Sequence, residues 1–223
     1  RVLDCIIDQG VDAICILANY SEQFVLSDDE RDLLMRISLE HVAGRVPVIV
    51  SISHFYTGIV VERARAAEAL GASMIMMMPP YHGVGLVPSE AGIFEHFQAA
   101  SEAIKIPIMV QDAPLSGCQL SVPFLVRMAK ELEQVSYFKM EMPFAADKLA
   151  NLIEVGGDAI KGPFDGEEAV TLLADLDAGC TGTMTSGLQC EHIGSIIRTY
   201  LAGNKDAALE GWTRSLPLIN HEN

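Results

Sequence analysis

Lys139 lies inside the apolar run Val135-Ser136-Tyr137-Phe138-Lys139-Met140-Glu141-Met142-Pro143, a setting from which a charged ammonium is ordinarily excluded. Burial disfavours the charged amine and can carry its pKa from about 10.4 toward neutrality, leaving a nucleophile able to attack a carbonyl. The chemistry that follows is Schiff-base formation. The alternative is a lysine that snorkels from a strand end to solvent, and this stretch by itself leaves both readings open. Alternate side chains of a strand share a face, so Lys139 and Glu141 point one way while Phe138 and Met140 point the other. An amine and a carboxylate in one cavity form either a buried ion pair or a nucleophile with its general acid/base.

Such a pair needs a scaffold, and the chain supplies a repeating one. Apolar strand candidates occur at 13–17, 47–52, 73–78, 107–111, 135–141, 158–162 and 182–186, each followed by a stretch of helical period. Ser27-Asp28-Asp29-Glu30 reads as a capping box, and Asp165-Gly166-Glu167-Glu168 is expected to open another helix. Continuous apolar strands alternating with amphipathic helices imply a parallel sheet, either doubly wound or closed into a barrel. Seven strands are visible where a (β/α)8 TIM barrel has eight, and residues 1–10 read as a helix with no strand before it. The expectation is an α/β chain in which 1–202 supply strands two to eight of a truncated TIM barrel. Residues 203–223 would begin a C-terminal helical extension, since 191–202 and 205–218 both read as helices. Losing one strand would expose sheet edges that a closed barrel conceals.

Composition narrows the function. Half of the 223 residues are hydrophobic, enough for a substantial core in one domain, and the longest apolar runs are strand-sized, far short of the ~20 residues of a membrane-spanning helix. A formal charge of −15 argues against nucleic-acid binding, and an anionic substrate must be held by local donors. The five cysteines, Cys5, Cys15, Cys118, Cys180 and Cys190, show no CxxC pair and no metal-ligand spacing, so they are read as reduced thiols of a cytoplasmic protein.

In a barrel the active site gathers where the strands end. The residues there are Asn19-Tyr20-Ser21-Glu22, His54, Tyr81-His82, Gln111-Asp112, Lys139 with Glu141, Lys161, and Thr183 with Thr185. In this order they resemble the dihydrodipicolinate synthase/N-acetylneuraminate lyase superfamily of Schiff-base-forming aldolases and dehydratases, over nearly the whole chain. The family's GxxGE signature corresponds to Ala18-Asn19-Tyr20-Ser21-Glu22, its P-Y-Y loop to Pro80-Tyr81-His82, its lysine strand to Tyr137-Phe138-Lys139, and its glycine-rich last strand to Gly179-Cys180-Thr181-Gly182-Thr183.

One departure changes the expected reaction. Where aldolases and synthases of the family carry a proton-relaying tyrosine in Y-x-x-P, this chain has Gln111-Asp112-Ala113-Pro114. A glutamine orients a hydroxyl or water but does not titrate, so the acid/base role passes to Glu141. Segments 15–24, 109–114 and 218–223 look like a subgroup that eliminates water from a sugar-derived 2-keto-3-deoxy acid. The resemblance then implies a hydro-lyase of pentose oxidation yielding 2-oxoglutarate semialdehyde. Lys139 would form the imine and Glu141 take the C3 proton, with Glu141 or a Gln111-oriented water protonating the departing hydroxyl. No metal or organic cofactor is implied beyond the covalent imine.

The substrate carboxylate would meet Ser21 and nearby amides, with Asn19, Tyr20, Tyr81, His82 and Thr183 completing the binding set. Glu22 would fix the loop through backbone amides. His82 is either a substrate-hydroxyl ligand or an ordinary loop histidine, and Tyr81 packs at a subunit interface in relatives. Lys161 is a competing amine beside Gly162-Pro163, Asp165 reads as a helix cap, His41 and His96 as packing or surface residues, and Met76-Met77-Met78 as adaptable core. The partners implied are a small-molecule keto acid and further copies of the chain, as dimer or tetramer, with neither nucleic acid nor membrane. The alternatives are a pyruvate-dependent aldolase or synthase-like lyase, and a non-catalytic keto-acid-binding paralogue.

Overall fold

Strands β1 (Ile14–Ile16), β2 (Val48–Ser51), β3 (Met74–Met77), β4 (Ile108–Asp112), β5 (Val135–Met140), β6 (Lys161–Asp165) and β7 (Gly182–Thr183) form one parallel sheet in chain order. They are seen in a computed structural model that describes residues 1–81 and 86–222. Every residue of β2 and β4 is buried, which suits strands covered on both faces. Outward side chains such as Ile75, Met77, Ile108, Val110, Phe138 and Met140 join the main core beneath the helices. Inward ones, Ile49, Met76 and Met109 with Cys15, Tyr137 and Phe164, make a second, smaller cluster. The period-two alternation thus separates a helix-facing core from a barrel interior. The result is an α/β, seven-stranded parallel half-barrel whose edge strands β1 and β7 are not paired with each other.

The helix layer includes α1 (Val2–Asp8), α3 (Thr57–Ala69) and α4 (Glu90–Ala103), and helix starts follow local chemistry. The capping box before α2 (Asp28–Val42) is formed: Glu30 N donates to Ser27 Oγ at 3.3 Å and Ser27 N to Glu30 Oε2 at 2.9 Å. Ser121 caps α5 (Val122–Glu131), whose Pro123 occupies the first turn, where a missing N–H leaves no orphan. Two final helices, α8 (Cys190–Leu201) and α9 (Lys205–Glu222), pack together, and Trp212 Nε1 of α9 donates to Ala169 O at 2.8 Å.

Two sequence-based boundaries are corrected. Strand β6 begins at Lys161, not at 158, because Gly162-Pro163 is not a terminator but a bulge. Tyr137 and Lys139 of β5 face Lys161 and Phe164, so two steps on one strand answer three on the other. Gly162 supplies φ +84° in that bulge, and Pro163 sits where its missing N–H is tolerated. Lys161 is therefore exposed at the start of its strand, remote from the strand-end residues, and is removed as a competing amine. Asp165 ends β6 and opens no helix: α7 (Leu172–Asp177) starts seven residues later.

Candidate active site

The β4–β5 ladder sets Gln111 beside Lys139. Because Phe138 and Met140 face the helices, Lys139 and Glu141 face inward, and both line a cavity of about 1400 Å³. Lys139 is only 7% exposed, and its Nζ donates to Glu141 Oε1 in a close ion pair. Gln111 Nε2 donates to the same oxygen at 2.8 Å. One carboxylate oxygen thus receives two donors, while Oε2 has no hydrogen-bond partner among the described residues. Gln111 is fully buried beside the cavity wall, and its own Oε1 has no partner among the described residues. The three candidate catalytic side chains stand together.

Backbone geometry supports that trio from behind. Glu141 N donates to Asp112 O at 2.9 Å, extending the ladder past the end of β5. Asp112 points away from the cavity and holds Lys148 of α6 (Ala145–Gly156) at 2.5 Å; burial pushes its carboxyl up and Lys148 opposes that. Gly166 Cα approaches so closely that an added Cβ would lie 2.4 Å from Glu141 Cγ and 2.9 Å from Lys139 Cγ. Only glycine fits there. Cys15 is an inward thiol in the same cavity, pushed up to about 12 chiefly by burial, and so stays a thiol at neutral pH.

After β1 the chain turns through a short 3₁₀ segment, Asn19–Ser21, whose three residues line the cavity. Leu17 N donates to Ser21 Oγ at 3.1 Å, which leaves the Ser21 O–H to be donated. Glu22 does not anchor this loop as expected. Its φ of +51° turns an exposed side chain that makes no hydrogen bond among the described residues. Gln23, which the sequence reading passed over, does the anchoring: its Nε2 donates to Asn19 Oδ1 at 2.8 Å. Buried Arg31 then donates to Gln23 O at 3.2 Å and to Ser51 O at 2.8 Å, strapping this loop to the end of β2.

Other expected binding residues divide. Thr183 lines the cavity, but its hydroxyl donates to Asp165 Oδ2 at 2.6 Å. Tyr81 is not among the cavity-lining residues; its ring meets Phe24 edge-on at 5.1 Å and Phe55 at 6.4 Å. His54 stacks on Phe55 and accepts from Tyr56 N, also away from Lys139. His82 lies outside the described residues. Among the described residues no group of three His, Cys, Asp or Glu side chains is placed to hold a metal ion, and no helix is long and apolar enough to cross a membrane.

The sequence reading missed the loop after β6. Asp165 is fully buried, accepts Glu167 N at 2.8 Å, Ala169 N at 3.0 Å and the Thr183 hydroxyl, and is pushed up by burial all the same. Glu167 and Glu168 join the cavity wall, with Glu168 and Ala169 at φ +56° and +68°. Three titratable residues within four positions of a strand-end segment were the available signal, and their resemblance to a helix N-terminus hid it.

Comparison with known proteins gives the setting. Over its full length the chain is 58% identical to "L-2-keto-3-deoxyarabonate dehydratase" of Azospirillum brasilense, of which it covers 72%. It is 30% identical to "4-hydroxy-tetrahydrodipicolinate synthase 1" of Halalkalibacterium halodurans, over 98% of this chain and 73% of that one. The crystal structure of dihydrodipicolinate synthase from Aquifex aeolicus superposes with a TM-score of 0.91 at 22% identity, covering 98% of this chain and 74% of that one, a likeness of fold. A Pseudomonas aeruginosa structure bearing a provisional dihydrodipicolinate synthetase name gives 0.92 at 32% identity, over 99% and 75%. With the Dihydrodipicolinate synthetase family model matching residues 1–222, and an inward lysine on the fifth of seven parallel strands, the chain belongs to the dihydrodipicolinate synthetase family.

Proposed function

We propose that this protein is a Schiff-base hydro-lyase that dehydrates 2-keto-3-deoxy-L-arabonate toward 2-oxoglutarate semialdehyde. The observation that carries the reading is the Lys139–Glu141–Gln111 constellation. It holds an imine-forming amine, one carboxylate base beside it, and a non-titrating amide where the family's synthases have a tyrosine. The 58% identity to the Azospirillum dehydratase supports the same substrate class.

Lys139 passes a proton to Glu141 and attacks the C2 ketone; loss of water gives an iminium that acidifies C3. Glu141, again a carboxylate, removes the C3 proton through Oε2, and the bonding pair becomes the C2=C3 enamine. The nitrogen pair then reforms C2=N as C3=C4 forms and the C4–O pair departs on oxygen. Proton shifts alone convert the remaining allylic alcohol to the aldehyde, and hydrolysis frees Lys139. Ser21, with Asn19 and Tyr20 beside it, would hold the substrate carboxylate, while Gln111 fixes the plane of Glu141 and orients a hydroxyl or water. This reading calls for no metal or organic cofactor beyond the covalent imine.

The same reading takes the seven strands as strands two to eight of a TIM barrel, an eighth strand lying between β1 and β7, and takes 203–223 as the start of a helical extension. It also takes the working enzyme as a cytoplasmic homo-oligomer. Borohydride reduction in the presence of 2-keto-3-deoxy-L-arabonate, followed by mass spectrometry, tests the core of the proposal. An adduct on Lys139 that is lost in Lys139→Met is expected, and no adduct in the unsubstituted protein would sink the imine. Recovery of pyruvate with a two-carbon aldehyde would replace dehydration by aldol cleavage.

A further inference from the structure

The elimination leaves one proton to be supplied, the one that turns the departing C4 oxygen into water. Glu141 holds the C3 proton at that point, but its Oε1 is held by Lys139 and Gln111, and C3 needs a proton back when the aldehyde forms, which Glu141 is placed to return. A second carboxyl opens into the same cavity. Glu168 follows β6, the strand on one side of β5, whereas Gln111 draws Glu141 toward β4 on the other. Resting on the imine reading above, we propose that Glu168 is the general acid of the elimination, donating its proton to the C4 oxygen as the C4–O bond breaks.

Three observations carry this. First, Glu168 lines the cavity while its Oε2 is buried with no partner among the described residues, so no donor pairs that oxygen and the carboxyl is left able to carry a proton. Second, the loop holds Glu168 there against its own preference. Left-handed backbone is unfavourable at a non-glycine residue, yet Glu168 and Ala169 both adopt it. Asp165 Oδ2 accepts Ala169 N, and Trp212 of α9 donates to Ala169 O, so the strained turn is fastened from both sides. Third, its surroundings favour the protonated form that the role requires. Burial lifts its carboxyl to about 7, against the opposing pull of Lys139 and of the Ser186 backbone amide, with Asp165 and Glu141 adding to the rise. Glu167 next to it fits less well: Thr171 Oγ1 lies 3.3 Å from its Oε2, and its electrostatic neighbours are Asp165, Asp175 and Glu141, not Lys139.

In the step itself the C4–O pair leaves on oxygen and takes the Glu168 proton, so water departs and Glu168 becomes a carboxylate. As a carboxylate it takes up the C5 proton during the shift that forms the aldehyde, which restores it for the next turnover.

The test uses the full chain with Glu168→Gln and Glu168→Asp and three readouts. These are dehydration, exchange of the substrate's C3 protons in D₂O, and fluoride release from the 4-deoxy-4-fluoro analogue, whose leaving group needs no proton. Glu168→Gln is expected to slow dehydration by roughly 10²–10⁴-fold while C3 exchange, fluoride release and the borohydride adduct persist. Wild-type kcat should fall as pH rises past about 7, because the acid form is then lost, and that limb should vanish in Glu168→Gln. Dehydration within about threefold of wild type overturns the assignment. So does a parallel loss of exchange and fluoride release in both variants, which makes the residue structural. A missing adduct in the wild type would instead remove the imine reading beneath it.

Discussion

Glu141 and Glu168 line one cavity but are held by two different kinds of structure. Glu141 stands at the end of a strand, where the β4–β5 register delivers two donors, Lys139 and Gln111, to a single oxygen. Glu168 stands in the loop after β6, where one backbone amide reaches it and its other oxygen is buried without a partner among the described residues. Its neighbours differ in their partners but not in the direction of their shift. Asp165, Glu167 and Asp175 are all pushed upward, in each case chiefly by burial. A regular ladder brings donors at fixed spacing to one carboxyl; an irregular turn that leaves the Glu168 carboxyl short of donors while excluding water pushes it upward.

Breaking the strand side should have the largest effect. Glu141→Gln is expected to cut turnover by roughly 10²–10⁴-fold while an adduct on Lys139 still forms, as mass spectrometry after borohydride would show. Near-normal turnover would mean that the base is elsewhere. Gly166→Ala attacks the seam between the two regions. Its Cβ must displace Glu141 and Lys139 or move the loop, so turnover should fall by about 10²-fold, with an overpacking loss of about 1–3 kcal/mol in denaturant melts.

Removing the orienting amide is milder. Gln111→Leu deletes one hydrogen bond to a charged acceptor, about 1.5–3 kcal/mol, and should lower kcat roughly 10–100-fold while leaving the pH dependence of the alkaline limb in place. The smallest effect sharpens the loop side. Asp175 is fully buried, its Oδ1 has no partner among the described residues, and burial lifts its carboxyl from 3.8 to about 6. A raised folded-state value contributes stability below pH 3.8 that is lost as pH rises through about 6. Asp175→Asn should therefore narrow the drop in Tm between pH 4 and pH 7, by on the order of 2–4 °C in calorimetry.

The strand side was legible in the sequence and the loop side was not, for physical reasons. Period two alone puts Lys139 and Glu141 on one face, and a parallel register then brings Gln111 beside them. Six of the seven strands lie where apolar runs put them. The exception, β6, carries Gly162-Pro163, whose local signature is that of a chain stop; only the facing strand shows it to be a bulge. Asp165-Gly166-Glu167-Glu168 likewise satisfies the composition of a helix start. What overrides it is tertiary: Thr183 and Ala169 converge on Asp165, and Trp212 reaches in from 43 residues away. Left-handed backbone at Glu168 has no sequence marker, because it is imposed by those contacts and not by the residue.

Arg31 has a mechanical consequence. By donating to both Gln23 O and Ser51 O it welds the turn that carries Asn19, Tyr20 and Ser21 to the neighbouring strand, and each bond from a guidinium of this kind is worth about 1.5–3 kcal/mol. That end of the cavity is thereby a fixed wall, and a ligand entering or leaving must find its compliance elsewhere along the rim.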